Sequence, residues 1–166
     1  SSLDYNFPIK IELIISNNIN AKGLKLAKKH YIPYKFFSSK NKKKFESNCL
    51  GEIKKRKVKF LCLAGFMKIL SKKFILKFEG KILNIHPSLL PNYKGLNTHR
   101  RVIENKEKFT GCTVHLVNSR LDSGKIILQK KIKILRKDNE NSLAKKVLKL
   151  EHQLYPMAIV KFLSIR

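Results

Sequence analysis

The chain reads as an α/β fold: one doubly wound, mostly parallel sheet with an antiparallel edge. Three observations predict it. Short apolar runs of strand length alternate with segments of helical periodicity along the sequence. One run, V-K-F-L-C-L-A at 58–64, is apolar enough to be buried on both faces, as central strands of parallel sheets are. The last two strand-like runs are joined by a short connection with Asp122-Ser123-Gly124 as its turn, which calls for an antiparallel return.

In chain order, 9–15 (I-K-I-E-L-I-I) reads as a strand, and 21–30 as a short helix with Leu24 and Ala27 on its apolar side. Strand character returns at 32–37 around Pro33. Ser38 or Ser39 is placed to cap a helix carrying Phe45, Leu50 and Ile53. The apolar strand 58–64 is broken by Gly65, and Ser71 starts a helix through Phe74, Ile75 and Phe78 that Gly80 ends. A buried strand follows at 82–85. After a rigid loop, Asn97 is placed to cap a helix through Val102 and Ile103, and strands are expected at 113–117 and 126–135. The last element, 141–164, is a long amphipathic helix with Leu143, Val147, Leu150, Leu154, Ala158 and Phe162 on one side and a kink expected at Pro156. With 166 residues, 43% of them hydrophobic, and no repeat or low-complexity linker, residues 1–166 read as a single domain.

Composition narrows the function classes. No apolar run approaches ~18 residues and no secretory leader is visible, so a soluble, cytoplasmic protein without membrane partners is expected. Three cysteines, Cys49, Cys62 and Cys112, are too few and too scattered for a disulfide framework and read as buried reduced thiols. The formal charge of +26 raises nucleic acid as a partner. Its make-up argues against that: 31 Lys stand against 6 Arg, alongside 13 Asn and 18 Ile, a bias that A+T-rich codons impose on any surface. The basic runs at 42–44 and 54–57 read as solvated helix faces.

The chemistry concentrates in 84–99, N-I-H-P-S-L-L-P-N-Y-K-G-L-N-T-H. Pro87 and Pro91 hold the backbone in a fixed, non-helical path. Asn84 and His86, at i and i+2 of a strand end, project to one face. One is an amide able to donate to a developing oxyanion, and the other titrates near neutral pH. Two readings stand for His86: a histidine hydrogen-bonded inside a loop, or an acid-base group. Asp122 is either an ordinary turn residue or the carboxylate that orients His86. In a doubly wound sheet, Gly65-Phe66-Met67, 84–86 and the Asp122 turn would share the rim at the strands' carboxyl ends. His99 and His115 read as structural. Glu151 reads equally as a solvent-facing residue or as a grip on an amine or hydroxyls. The five histidines show no H-x-H or H-x-x-x-H spacing, so no metal site is expected.

The runs L-A-G-F-M-K-I-L (63–70), L-N-I-H-P-S-L-L-P-N-Y-K-G-L-N-T-H (83–99), G-C-T-V-H-L-V (111–117), L-D-S-G-K-I-I-L-Q (121–129) and L-E-H-Q-L-Y-P (150–156) resemble the phosphoribosylglycinamide formyltransferases of purine biosynthesis, in that family's order and over nearly the whole chain. Methionyl-tRNA formyltransferases and formyltetrahydrofolate deformylases are similar in the Asn-x-His core and the later Asp, but not in the H-P-S-L-L-P wording. The resemblance implies transfer of a formyl group from 10-formyltetrahydrofolate, as co-substrate, to the amine of glycinamide ribonucleotide, without metal. It implies Asn84, His86 and Asp122 as catalytic residues. It implies Lys42, Met67, Lys68, Ile69, Leu70, Asn84 and Asp122 as folate contacts, Pro87 and Glu151 as ribonucleotide contacts, and a cis Leu90-Pro91 bond. A monomer or homodimer is expected.

The chain departs from the family in carrying Lys42 where Arg is usual and Lys125 where Pro is usual. It also shows no counterpart of the family's first strand and the Gly-Ser-rich loop that binds the ribonucleotide phosphate, so the domain is expected to be truncated at the N-terminus and at the C-terminus. Other 10-formyltetrahydrofolate enzymes, a basic nucleic-acid-binding module and an inactive relative stand as alternatives. The binding module predicts salt-sensitive binding that survives His86→Ala; the enzyme predicts turnover that does not.

Overall fold

A computed structural model describes residues 9–164, and both ends of the 1–166 span lie outside the described residues. The chain forms two compact units: residues up to Lys59 with Leu70–Gly80, and Phe60–Ile69 with the chain from Lys81 onward.

The first unit is a small βαβ arrangement with two further helices. Strand β1 (Ile14–Ser16) pairs in parallel with β2 (Tyr34–Phe36), and α1 (Lys22–Lys29) connects them, burying Leu24 and Ala27 as its periodicity requires. Pairing begins at Ile14 rather than Ile9 because β2 offers only three residues as a ladder partner. Helix α2 (Lys42–Lys55) buries Phe45, Cys49 and Ile53 at i, i+4 and i+8. Its cap is Asn41, whose side chain accepts from the Lys44 amide at 3.0 Å, and neither of the expected serines. Ser38 turns its hydroxyl to the Lys40 amide, and Ser39 accepts from the Asn17 side chain at 3.0 Å. Helix α3 (Lys72–Lys77) is capped by Ser71 as expected. The buried Glu46 carboxylate accepts from both the Ser71 amide and the Ser71 hydroxyl, which satisfies an otherwise costly buried charge. Gly80 follows α3 because a Cβ there would meet the Lys59 carbonyl oxygen at 2.3 Å.

The second unit is a four-stranded sheet in the order β3 (Phe60–Leu63), β4 (Lys81–His86), β5 (Phe109–Leu116), β6 (Ile126–Lys133). Strands β3 and β4 are parallel; β5 alone is reversed and pairs antiparallel on both sides. The antiparallel part therefore starts one strand earlier than the sequence predicts. Thr113 pairs with His86 and Leu116 with Leu83, so β5 begins beyond the carboxyl end of β4. The connection, which contains α4 (Thr98–Glu104), delivers the chain back without crossing the sheet. Asn97 occupies the cap position of α4 without a capping hydrogen bond, because at φ 55°, ψ 34° it is left-handed and not extended.

Helix α5 (Glu140–Ser164) packs on β5, β6 and α4 through Leu143, Val147, Leu150, Leu154 and Ala158, and continues as helix through Pro156. The Tyr155 hydroxyl reaches the carbonyls of Leu63 and Leu83 at 2.9 and 3.0 Å, tying the helix to two neighbouring strands. Among the described residues no helix is long and apolar enough to cross a membrane.

Candidate active site

Strand alternation sets the site. Asn84 and His86 share one face of β4, and the register places His115 opposite Asn84 and Thr113 opposite His86. The loop after β5 folds back over that face and delivers Asp122 at φ 44°. Asp122 Oδ2 accepts from the Gly95 amide at 2.9 Å and lies 3.4 Å from His86 Nδ1; Oδ1 lies 3.7 Å from His115 Nε2. The loop comes this close because residue 124 is glycine: a Cβ there would lie 1.6 Å from the Leu116 carbonyl oxygen.

Both histidines are almost fully buried, His86 at 5% and His115 at 2% exposure. His86 Nε2 lies 2.9 Å from the Tyr93 carbonyl, so its ring faces one acceptor on each side. His115 differs. Its Nδ1 lies 2.9 Å from the Leu116 carbonyl, and its Nε2 lies 3.2 Å from Asn84 Nδ2. Burial holds its pKa below the usual imidazole value, outweighing the Leu116 carbonyl and Asp122, which raise it; His86 lowers it further.

The proline-rich loop is pinned from the sheet. The Thr113 hydroxyl donates to the Ser88 carbonyl at 2.7 Å and accepts from the Leu90 amide at 3.1 Å and from Gln129 Nε2 at 2.8 Å. Gln129 Nε2 also donates to the Leu90 carbonyl, and the Ser88 hydroxyl to the Asn92 carbonyl. The Leu90-Pro91 bond is cis, as expected. On the outside of the loop, the Tyr93 hydroxyl donates to Glu107 and accepts from Asn105.

Of the sequence-predicted residues, the structure brings Asn84, His86 and Asp122 together. Pro87 follows directly, half-buried. Met67, Lys68 and Ile69 lie on an exposed loop after β3, with Met67 at 73% exposure. Leu70 is buried in the first unit, where Lys42 opens α2 and is exposed. Glu151 is half-buried on α5, and burial pushes its carboxyl up to about 7. Its charge is felt by Cys112 on β5. His99, the second residue of α4, keeps a buried Nδ1 without a hydrogen-bond partner. The thiols of Cys49 and Cys112 are buried and pushed up to about 12, first by burial and then by Glu46 and Glu151 respectively. Cys62 is exposed, against expectation; among the described residues β3 is paired on one side alone. Among the described residues no three His, Cys, Asp or Glu side chains gather as a metal site.

Sequence reasoning reads His115 as structural, and the register sets it opposite Asn84. The signal was present in T-V-H at 113–115: Thr113 and His115 share a face, but only the register shows that this face is the one carrying Asn84 and His86.

The family model described as "Formyl transferase" matches residues 3–159. A phosphoribosylglycinamide formyltransferase of Haemophilus influenzae is 43% identical over 163 residues, covering 95% of this chain and 76% of that protein. The human trifunctional purine biosynthetic protein adenosine-3 is 39% identical over 162 residues, 96% of this chain and 16% of that much longer one. A solved phosphoribosylglycinamide formyltransferase from Bacillus halodurans superposes with a TM-score of 0.89 at 34% identity, covering 95% of this chain and 83% of its own. The α/β fold, the triad on one sheet face and these likenesses converge: the chain belongs to the formyl transferase family, among the phosphoribosylglycinamide formyltransferases.

Proposed function

We propose that the chain transfers the formyl group of 10-formyltetrahydrofolate to the amine of glycinamide ribonucleotide, in the cytoplasm and without metal. The observation that carries the reading is the convergence of an amide, an imidazole and a carboxylate on one buried face: Asn84, His86 and Asp122. The amine attacks the formyl carbon, a C–N bond forms, and the carbonyl pair moves to oxygen. The resulting oxyanion is stabilised by N–H donors from Asn84 and His86. Asp122 keeps the His86 ring oriented with hydrogen on Nδ1. The ammonium proton passes to Asp122 and by way of water to the folate nitrogen, whose bond to the formyl carbon breaks as the carbonyl re-forms, releasing tetrahydrofolate. Since His86 Nε2 donates to the Tyr93 carbonyl in this structure, the substrate oxygen takes that bond over as it arrives.

Met67 to Leu70 and Asp122 are assigned to the folate, and Lys42 to its anionic glutamate tail. The dipole of α2 favours an anion at Lys42, which opens that helix. Pro87 and Glu151 are assigned to the ribonucleotide. The test is formyl transfer to glycinamide ribonucleotide by the full chain and by His86→Ala; turnover retained in the folded variant sinks the proposal.

A further inference from the structure

We infer that His115 is a positioning residue: it holds the Asn84 carboxamide with its NH2, and not its oxygen, toward the reacting centre. The inference rests on the proposed formyl transfer and assigns a role to a residue outside the triad.

A carboxamide turned over about its last bond exchanges Oδ1 for Nδ2 at almost no cost in shape, so asparagine by itself does not choose which end it presents. Only the NH2 end can stabilise an oxyanion. The choice is made by the neighbour. His115 Nδ1 lies 2.9 Å from the Leu116 carbonyl, an obligate acceptor, so that nitrogen carries the hydrogen. In a neutral ring, Nε2 then presents a lone pair. Its partner at 3.2 Å is Asn84 Nδ2, while Asp122 Oδ1 at 3.7 Å is beyond hydrogen-bond reach. An oxygen in the amide nitrogen's place would set lone pair against lone pair. One N–H of Asn84 is therefore used on His115 and the other is left for the formyl oxygen.

Burial keeps His115 on the neutral side, since its pKa is lowered. The charged groups that bear on it are Asp122, from the loop above the sheet, and His86, from β4. A charged His115 would place a hydrogen on Nε2, reject the NH2 and turn the amide over. Activity would then fall on the acid side.

The test compares kcat, KM and pH profiles for the full chain, His115→Phe, His115→Gln, Asn84→Ala and the double variant Asn84→Ala/His115→Phe. We expect His115→Phe to lower kcat by about tenfold or more with KM unchanged, short of the ~100-fold that losing a donor outright costs. His115→Gln offers an oxygen acceptor that does not titrate; it restores most of kcat and moves the acid limb to lower pH. The double variant matches Asn84→Ala, because a residue acting only through Asn84 has nothing further to lose. Additive losses, full activity in His115→Phe, or a glutamine variant as slow as phenylalanine overturns the inference. Ring 15N NMR of the unsubstituted chain supplies a readout independent of turnover. Hydrogen on Nδ1 and a bare Nε2 at pH 7 are expected, and an imidazolium or the opposite tautomer overturns the inference whatever the variants do. A chain that shows this tautomer but transfers no formyl group refutes the proposed function and leaves the amide lock standing.

Discussion

Strands β3 and β4 lie side by side, parallel and paired over four residues, yet their burial runs against their hydropathy. The more apolar F-L-C-L of β3 is half-exposed, with Cys62 the most open of the four, although partial burial still pushes its thiol up to about 11. The mixed K-I-L-N-I-H of β4 is buried at Ile82, Leu83, Ile85 and His86. The difference is one of place: among the described residues β3 is paired on one side, while β4 has a strand on each side. A sheet interior that accepts Asn84 and His86 does so because each finds a partner there.

The strongest way to break this contrast is Leu83→Ala. Leu83 is fully buried, and its truncation is expected to cost about 2 to 5 kcal/mol in urea or thermal unfolding; a loss under about 1 kcal/mol would show that β4 is not the core strand. On the polar side of the same strand, His86→Ala is expected to cost ~100-fold or more in kcat, about 3 kcal/mol of transition-state stabilisation, with the fold intact by circular dichroism.

A subtler probe is Glu151, on the helix that covers the sheet. Its carboxyl is raised from the ordinary 4.5 to about 7 by burial. The protonated form is thus the one the fold prefers. The associated stability is fully present below about 4.5 and is lost as pH rises through about 7. Glu151→Gln is therefore expected to match the unsubstituted chain near pH 4 and to melt higher at pH 8; melting curves that stay parallel across that range would show the carboxylate to be solvated. The smallest effect belongs to Cys62→Ser. At a position exposed among the described residues it is expected to change stability by less than about 0.5 kcal/mol, and a larger loss would mean that β3 is covered in solution.

Much of this was legible in the residues. Periodicity located α1, α2 and α5, and a strand end and a turn suggested the nearness of Asn84, His86 and Asp122, whose catalytic role is proposed. What was not legible depended on register and on competition between neighbours. Ser38 and Ser39 are good caps in isolation, but other partners already held their hydroxyls. Two residues either side of a strand bond look alike in sequence, so His115 could not be assigned to the active face until β5 was paired with β4. Likewise 58–64 has the composition of a central strand, and nothing in that composition says which strands lie beside it.

The Thr113 hydroxyl uses its one hydrogen and both lone pairs, on Ser88, Leu90 and Gln129. The course of the proline-rich segment is thus written in two strands that come later in the chain. As a unit of transplantation, 84–99 is incomplete. Moved to another scaffold with its prolines, its asparagine and its histidine, it would arrive without the hydroxyl and the amide that tell it where to go, and a catalytic graft would have to carry Thr113 and Gln129 along with it.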